Sequence, residues 1–284
     1  MRRSLLALRF ALVVALLQAW GGDVARAQGE SRRADARAES AEPPELETDR
    51  DAFTPATGTV RRRVSVLETS YSFIDNRDVK DTHSLPELLV RRGLTDHIEL
   101  RLGWNYEVGG AGNVVSGNEG GGDESAGGAL ERESELLYGL KAQLTEQRGL
   151  LPRSALILQG YTPTSGASPA TDWVGAYAFG WELPNRMRLD SSMRYGTDHA
   201  EHDVANQWMP SVVLRAPLTE RWQVHAEYFG IYTDGGATDD CRAFFSTGTH
   251  YLIAPNVELG VRIGWGLTHD APNAFSNLGL GRRF

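Results

Sequence analysis

The chain has 284 residues, is 41% hydrophobic and carries a formal net charge of −8, a sign that argues against nucleic acid as a partner. One cysteine, Cys241, excludes an internal disulfide framework. The length suits one large domain or two small ones, and 31 glycines with abundant aromatics in so modestly apolar a chain agree with an all-β barrel.

Met1, Arg2 and Arg3 precede an apolar run from Leu5 to Leu17 broken only by Arg9, and Ala25-Arg26-Ala27 stands before Gln28. This pattern predicts a cleaved secretory signal over residues 1–27. The run is too short to cross a ~30 Å hydrocarbon core as a helix, and no other stretch reaches ~20 apolar residues. The signal holds four arginines and one aspartate, so −8 minus +3 leaves a mature charge of −11. Residues 28–58, with SRRADARAESAEPPELETDRD inside, are charged and poor in large apolar groups. They predict a flexible periplasmic leader, because burial there does not offset the entropy of ordering. The segment is also too short for an energy-coupling plug domain. Residues 59–284 are then the barrel.

From residue 60 the pattern has period two. Strands are expected at 60–73, 83–93, 97–108, 131–144, 152–162, 171–182, 187–196, 204–217, 221–232, 241–253, 256–265 and 274–284. The clearest sets Val257, Leu259, Val261, Ile263 and Trp265 against Glu258 and Arg262. Another sets Ile98, Leu100, Leu102, Trp104 and Tyr106 against Glu99, Arg101 and Asn105. A helix would scatter both sets around its axis. In 83–93 and 204–217, Leu and Val fall on both faces, so those strands do not declare which side is which.

Short connections, such as Leu94-Thr95-Asp96 and Ala254-Pro255-Asn256, alternate with longer polar ones near 74–82, 109–130, 163–170, 198–203, 233–240 and 267–273. Short periplasmic turns and longer outside loops are the habit of outer-membrane barrels. The longest loop, Gly109–Ala129, has only Val114 and Val115 as apolar anchors and is expected to be mobile. The last strand ends in Phe284 with Leu278 and Leu280 at even spacing, resembling the terminal signal read by the barrel-insertion machinery. Arg282 departs from that signal, at a cost of roughly 0 to 1 kcal/mol near the interface.

The expectation is an all-β, transmembrane, antiparallel up-and-down barrel of about 12 strands in the outer membrane of a Gram-negative-type bacterium. A closed barrel of that size has an interior too wide for wall side chains to fill, so it holds water, ligand or a plug. An Arg at mid-depth on the lipid face would cost about 2 to 4 kcal/mol, which puts the charged face inward. Trp104, Tyr106, Tyr161, Trp173, Trp181, Trp222, Tyr228, Trp265 and Phe284 near strand ends suit interfacial belts facing membrane lipid.

The stretch Glu68-Thr69-Ser70-Tyr71-Ser72-Phe73, followed by His83-Ser84-Leu85-Pro86-Glu87-Leu88-Leu89-Val90-Arg91-Arg92-Gly93-Leu94-Thr95-Asp96-His97-Ile98-Glu99-Leu100-Arg101, resembles the opening of the family named for the MetA pathway of phenol degradation. The resemblance implies an outer-membrane transporter barrel passing small aromatic or other hydrophobic molecules.

The inward charged face supplies the candidate pore lining: Glu68, Glu87, Arg91, Glu99, Arg101, Glu135, Lys141, Arg188, Asp190, Arg194, Glu227, Glu258 and Arg262. Both signs are mixed, which disfavours strong ion selectivity. Two uses compete: a wet lumen giving passive passage or weak binding to a small-molecule permeant, or a structural barrel closed by ion pairs between strands. A third reading, an outer-membrane lipolytic enzyme, would use His225, His250, Ser246 and Thr249, but no Gly-x-Ser-x-Gly elbow is present. The expectation is no enzyme, no cofactor and no metal, with Asp198-His199-Ala200-Glu201-His202-Asp203 read as a solvated acidic loop.

Overall fold

Strict alternation lets a sheet present one apolar and one polar face, and closure removes its edges. The computed structural model describes residues 46–50, 52–116, 131–166, 170–200, 203–234 and 240–284. The expected signal and residues 28–45 lie outside them. Twelve strands form the wall: β1 (Ser65–Asp75), β2 (Thr82–Gly93), β3 (Ile98–Gly109), β4 (Glu131–Thr145), β5 (Arg153–Ser165), β6 (Asp172–Glu182), β7 (Arg188–Ala200), β8 (Asp203–Pro217), β9 (Trp222–Asp234), β10 (Asp240–Ala254), β11 (Val257–Gly266) and β12 (Ala274–Arg283). Each pairs antiparallel with its chain neighbours, and β1 closes on β12 in the register Tyr71↔Leu278, Ile74↔Phe275.

Every expected strand has its counterpart, and two of the differences in extent have a clear structural cause. The first begins at Ser65 rather than residue 60, because residues 61–64 run under the barrel mouth, where Val64 bonds Gly93. The expected 198–203 loop is mostly strand: Ala200 pairs with Asp203, and only residues 201–202 separate β7 from β8.

The wall sorts its side chains as lipid requires. In β11, Val261, Ile263 and Trp265 lie on the outer face while Glu258 and Arg262 are buried. Tyr251 and Trp222 pair in register toward the short-turn end, whereas Tyr195, Trp208 and Tyr232 form a band toward the other. Two aromatic belts result. At the chain end Phe284 donates its N–H to the Ser65 carbonyl at 2.8 Å, and the Arg282 guanidinium lies 4.8 Å over the Phe284 ring. Tyr161 corrects the belt expectation. It is buried inside the barrel, its hydroxyl accepting from Gln159 at 2.7 Å.

The two strands with undeclared faces have separate explanations. In β2 the pairing with β3 jumps from Ser84 to Glu87, a bulge at Leu85-Pro86 where proline has no N–H for the ladder. The extra residue inverts the alternation, so Leu85 points out while Glu87, Leu89 and Arg91 point in. In β8 the inner face is itself partly apolar: Met209 and Val213 line the lumen beside Gln207, Ser211 and Arg215.

Candidate functional site inside the barrel

The leader expectation is corrected from residue 46 onward. Residues 46–60 form a re-entrant hairpin inside the lumen, and those described are buried apart from partial exposure at Glu47, Gly58 and Thr59. The hairpin enters at the short-turn end, where Leu46 packs with Val60 and Val66. It climbs to a tip at Phe53 and returns to the same end, where the Val60 N–H bonds Glu99 at 2.8 Å. The Ala56 N–H bonds the Asp49 carboxylate at 2.9 Å and ties the two arms together.

Sparse apolar content misleads here because charge pairing, rather than apolar area, holds the segment. Asp49 sits among three buried cations: Arg101 at 2.6 Å, Lys141 at 3.5 Å and Arg91 at 3.7 Å. Burial opposes its charge, but Arg91, Lys141 and Arg101 together hold its carboxyl well below the usual carboxylate range. Arg50, only 1% exposed, extends the other way: its guanidinium reaches Asn105 at 2.9 Å, Glu87 at 3.4 Å and the Leu88 carbonyl. The Asp49 and Arg50 N–H groups both donate to Glu68, at 2.8 and 3.1 Å. Glu47 pairs with Arg188 and, at 3.4 Å, with Arg153. Buried ions of this kind cost several kcal/mol each unless partnered, so hairpin and wall depend on each other.

The thirteen residues expected to line a pore all point inward, and eleven of them touch the described part of the hairpin. Glu68, Glu87, Arg91, Glu99, Arg101, Lys141 and Arg188 do so through the contacts above, and the Arg91 guanidinium also reaches the Glu47 carbonyl at 2.7 Å. Asp190 accepts from Thr57 at 3.4 Å, and Glu258 from Thr48 at 2.7 Å. Glu227 accepts from the N–H groups of Phe53 and Thr54, at 3.2 and 2.7 Å, and Arg194 donates to the Phe53 carbonyl. Glu135 instead accepts from Asn105 at 3.2 Å, and Arg262 bridges Glu227 at 2.7 Å and the Val115 carbonyl at 3.0 Å.

That last contact corrects the expectation of a mobile outer loop for residues 110–116. The Gly110 N–H bonds the Lys80 carbonyl at 3.1 Å, and the Asn113 side chain donates to Glu87 at 2.9 Å. Asn113 Oδ1 also accepts from the N–H groups of Val115 and Ser116, at 3.2 and 3.1 Å, folding a local turn that buries Val114 and Val115. Residues 117–130 lie outside the described part. Hairpin and loop thus enter the lumen from opposite ends and meet in one apolar cluster containing Phe53 and Val115.

Sequence reasoning missed that cluster. Phe229, Phe244, Phe275 and Tyr161 face the lumen with Met209 and Ile231, at levels beyond the ion network. The Phe229 and Phe244 rings stack at 4.6 Å, and Phe275 meets each edge-on at 6.2 Å. Parity held the signal: Phe229 is two residues from Glu227, Phe244 two from Ser246 and Phe275 two from Asn277, so each aromatic shares the polar face. Arg215, also missed, pairs with Asp190 at 2.6 Å. Of the suspected lipolytic groups, His225 and His250 are inward and 2.8 Å apart and Ser246 is inward and donates to Glu227 at 3.1 Å, whereas Thr249 lies on the outer face and accepts from the Trp222 indole. At the short-turn end a cavity of about 430 Å³, lined by Thr57, Arg153, Trp181, Arg188 and Asp190 among others, forms a vestibule.

A closed, lipid-belted wall around a charged and aromatic lumen defines an outer-membrane β-barrel. The family model described as "MetA-pathway of phenol degradation" matches residues 48–284, well over half the chain, and the chain belongs to that family. The matched span includes most of the inserted hairpin. Among solved structures the chain is similar to an outer membrane channel from Pseudomonas putida F1, with TM-score 0.53 and 13% identity over 84% of this chain and 100% of that one. It is also similar to the translocator domain of the autotransporter NalP from Neisseria meningitidis, with TM-score 0.50 and 12% identity over 92% and 96%. At such identities the likeness speaks for the fold alone. No curated protein matches the chain.

Proposed function

We propose that this barrel is a gated channel giving passive passage to small apolar or aromatic molecules, with the 46–60 hairpin as its gate. The observation that carries the reading is the inner aromatic surface of Phe229, Phe244 and Phe275, an apolar lining within an otherwise ion-paired lumen. The thirteen inward charges line the pore once the hairpin is withdrawn, and eleven of them hold it when inserted. Passage is diffusive, and the permeant is a small molecule. His225, His250 and Ser246 serve as interior hydrogen-bonding groups and catalyse nothing. The terminal strand ending at Phe284 presents the barrel to the insertion machinery.

A second reading, a structural barrel without transport, draws support from the density of ion pairing around Asp49. Planar-bilayer recordings separate the two. Deletion of residues 46–60 should convert rare openings into a steady conductance that shifts on Arg262→Ala, and vesicles holding the deleted form should admit small aromatics. A silent bilayer from both intact and deleted protein assigns the structural role.

A further inference from the structure

At the hairpin tip the Phe53 ring stacks on Phe229 at 4.3 Å, with only 10° between the planes. The Arg194 guanidinium covers its other side at 4.4 Å. Floor and roof of this slot belong to the wall; only the ring between them comes from the hairpin. The main chain beside the ring supplies two N–H donors to Glu227, a buried carboxylate that also accepts from Arg262 and Ser246. If the hairpin leaves, the slot empties and Glu227 loses two donors together, a costly state for a buried anion.

We infer that Phe53 occupies a ligand site: the slot takes a neutral, single-ring aromatic bearing an O–H donor, which displaces Phe53 and so opens the gate. The ring replaces Phe53 between Phe229 and the Arg194 guanidinium, where stacking and cation–π attraction both apply. The hydroxyl donates to Glu227 in place of the Phe53 and Thr54 amides. An aromatic carboxylate is rejected because it would bring a second anion against Glu227. Ligand and hairpin exclude each other, so occupancy biases the gate only by the difference in affinity between the two states. The inference rests on the channel reading for its consequence, although the competition is testable without transport.

The test uses full-length protein in lipid vesicles, carrying Cys241→Ser and Thr54→Cys, because Thr54 is wholly buried beside the ring. Maleimide labelling of the new thiol reports withdrawal of the tip. Phenol should accelerate labelling saturably by about fivefold, the order of factor that an aromatic pair is worth, whereas cyclohexanol and benzoate should not. Phe53→Ala should label fast without phenol and gain nothing from it, and Phe229→Ala should lose the phenol response. Phe53→Leu, a milder change, should give an intermediate rate, and heat-dependent gel mobility verifies that each variant is folded. Equal acceleration by cyclohexanol, or a saturable response surviving Phe229→Ala, overturns the inference. Conductance recorded in parallel keeps the two claims apart. A phenol response of labelling in silent membranes upholds the slot and removes the channel, and conductance with labelling indifferent to phenol removes the slot alone.

Discussion

Asp49 and Arg101 meet at 2.6 Å in the middle of the lumen, joining a hairpin that enters from the short-turn end to a strand of the wall. Lys141 and Arg91 complete a cage of three cations around the one carboxylate. Asp49→Asn keeps the shape and removes the charge, leaving the three cations to Glu99 and Glu68 alone. Breaking a buried pair costs about 3–5 kcal/mol, and here the cost falls on hairpin insertion rather than on the wall ladder. Opening frequency in planar bilayers should therefore rise by more than tenfold while heat-dependent gel mobility stays that of a closed barrel. Unchanged opening would mean that Asp49 does not hold the gate.

Acid should act in the same direction. Burial opposes the charge of Glu47, but Arg188 and Arg153 above all hold it at about 2 against an ordinary 4.5. A depressed carboxyl stabilises the inserted state fully above the ordinary value, and that contribution drains away as pH falls from about 4.5 toward 2. Asp49, shifted the same way, adds to the effect. Opening frequency in planar bilayers should be higher at pH 3 than at pH 6. A flat profile across that range would show that neither carboxylate matters to insertion.

Steric fit allows the gate to be tested without touching a charge. A Cβ built at Gly281 in β12 would lie 2.4 Å from the Thr48 methyl carbon, so the wall has no side chain where the hairpin passes. Gly281→Val should expel the entering arm and mimic Asp49→Asn in conductance. If the valine variant stays closed, the arm has another path.

The outer wall gives a control of opposite kind. Leu158 in β5 is 56% exposed and pairs in register with Leu140, both on the lipid face. Leu158→Arg should cost about 2 to 4 kcal/mol at mid-depth, read as a lower urea midpoint for folding into vesicles, with channel properties of the folded fraction unaltered. A neutral result would place that face away from lipid.

The wall was legible because period two is a local property: Ile98 to Tyr106 and Val257 to Trp265 declare their faces without reference to the rest of the chain. Where legibility failed, the cause was non-local. The bulge at Leu85-Pro86 inverts a parity that looks continuous in sequence. Phe229, Phe244 and Phe275 sit at polar-face parity, but only the pairing register of β9 to β12 brings them to a common patch. The hairpin was hidden most deeply. Asp49 and Arg50 resemble a solvated linker until their partners on β1 to β4 are assembled around them, and no window of the sequence contains both halves of those pairs.

Leu46 and Val60 both lie at the short-turn end of the barrel, so the described segment has its way out on the side by which it entered. On the channel reading, its withdrawal would break contacts to wall side chains while the twelve-strand ladder stays whole. A pull or a binding event at that one mouth would then suffice to unblock the pore, with no strand pairing broken.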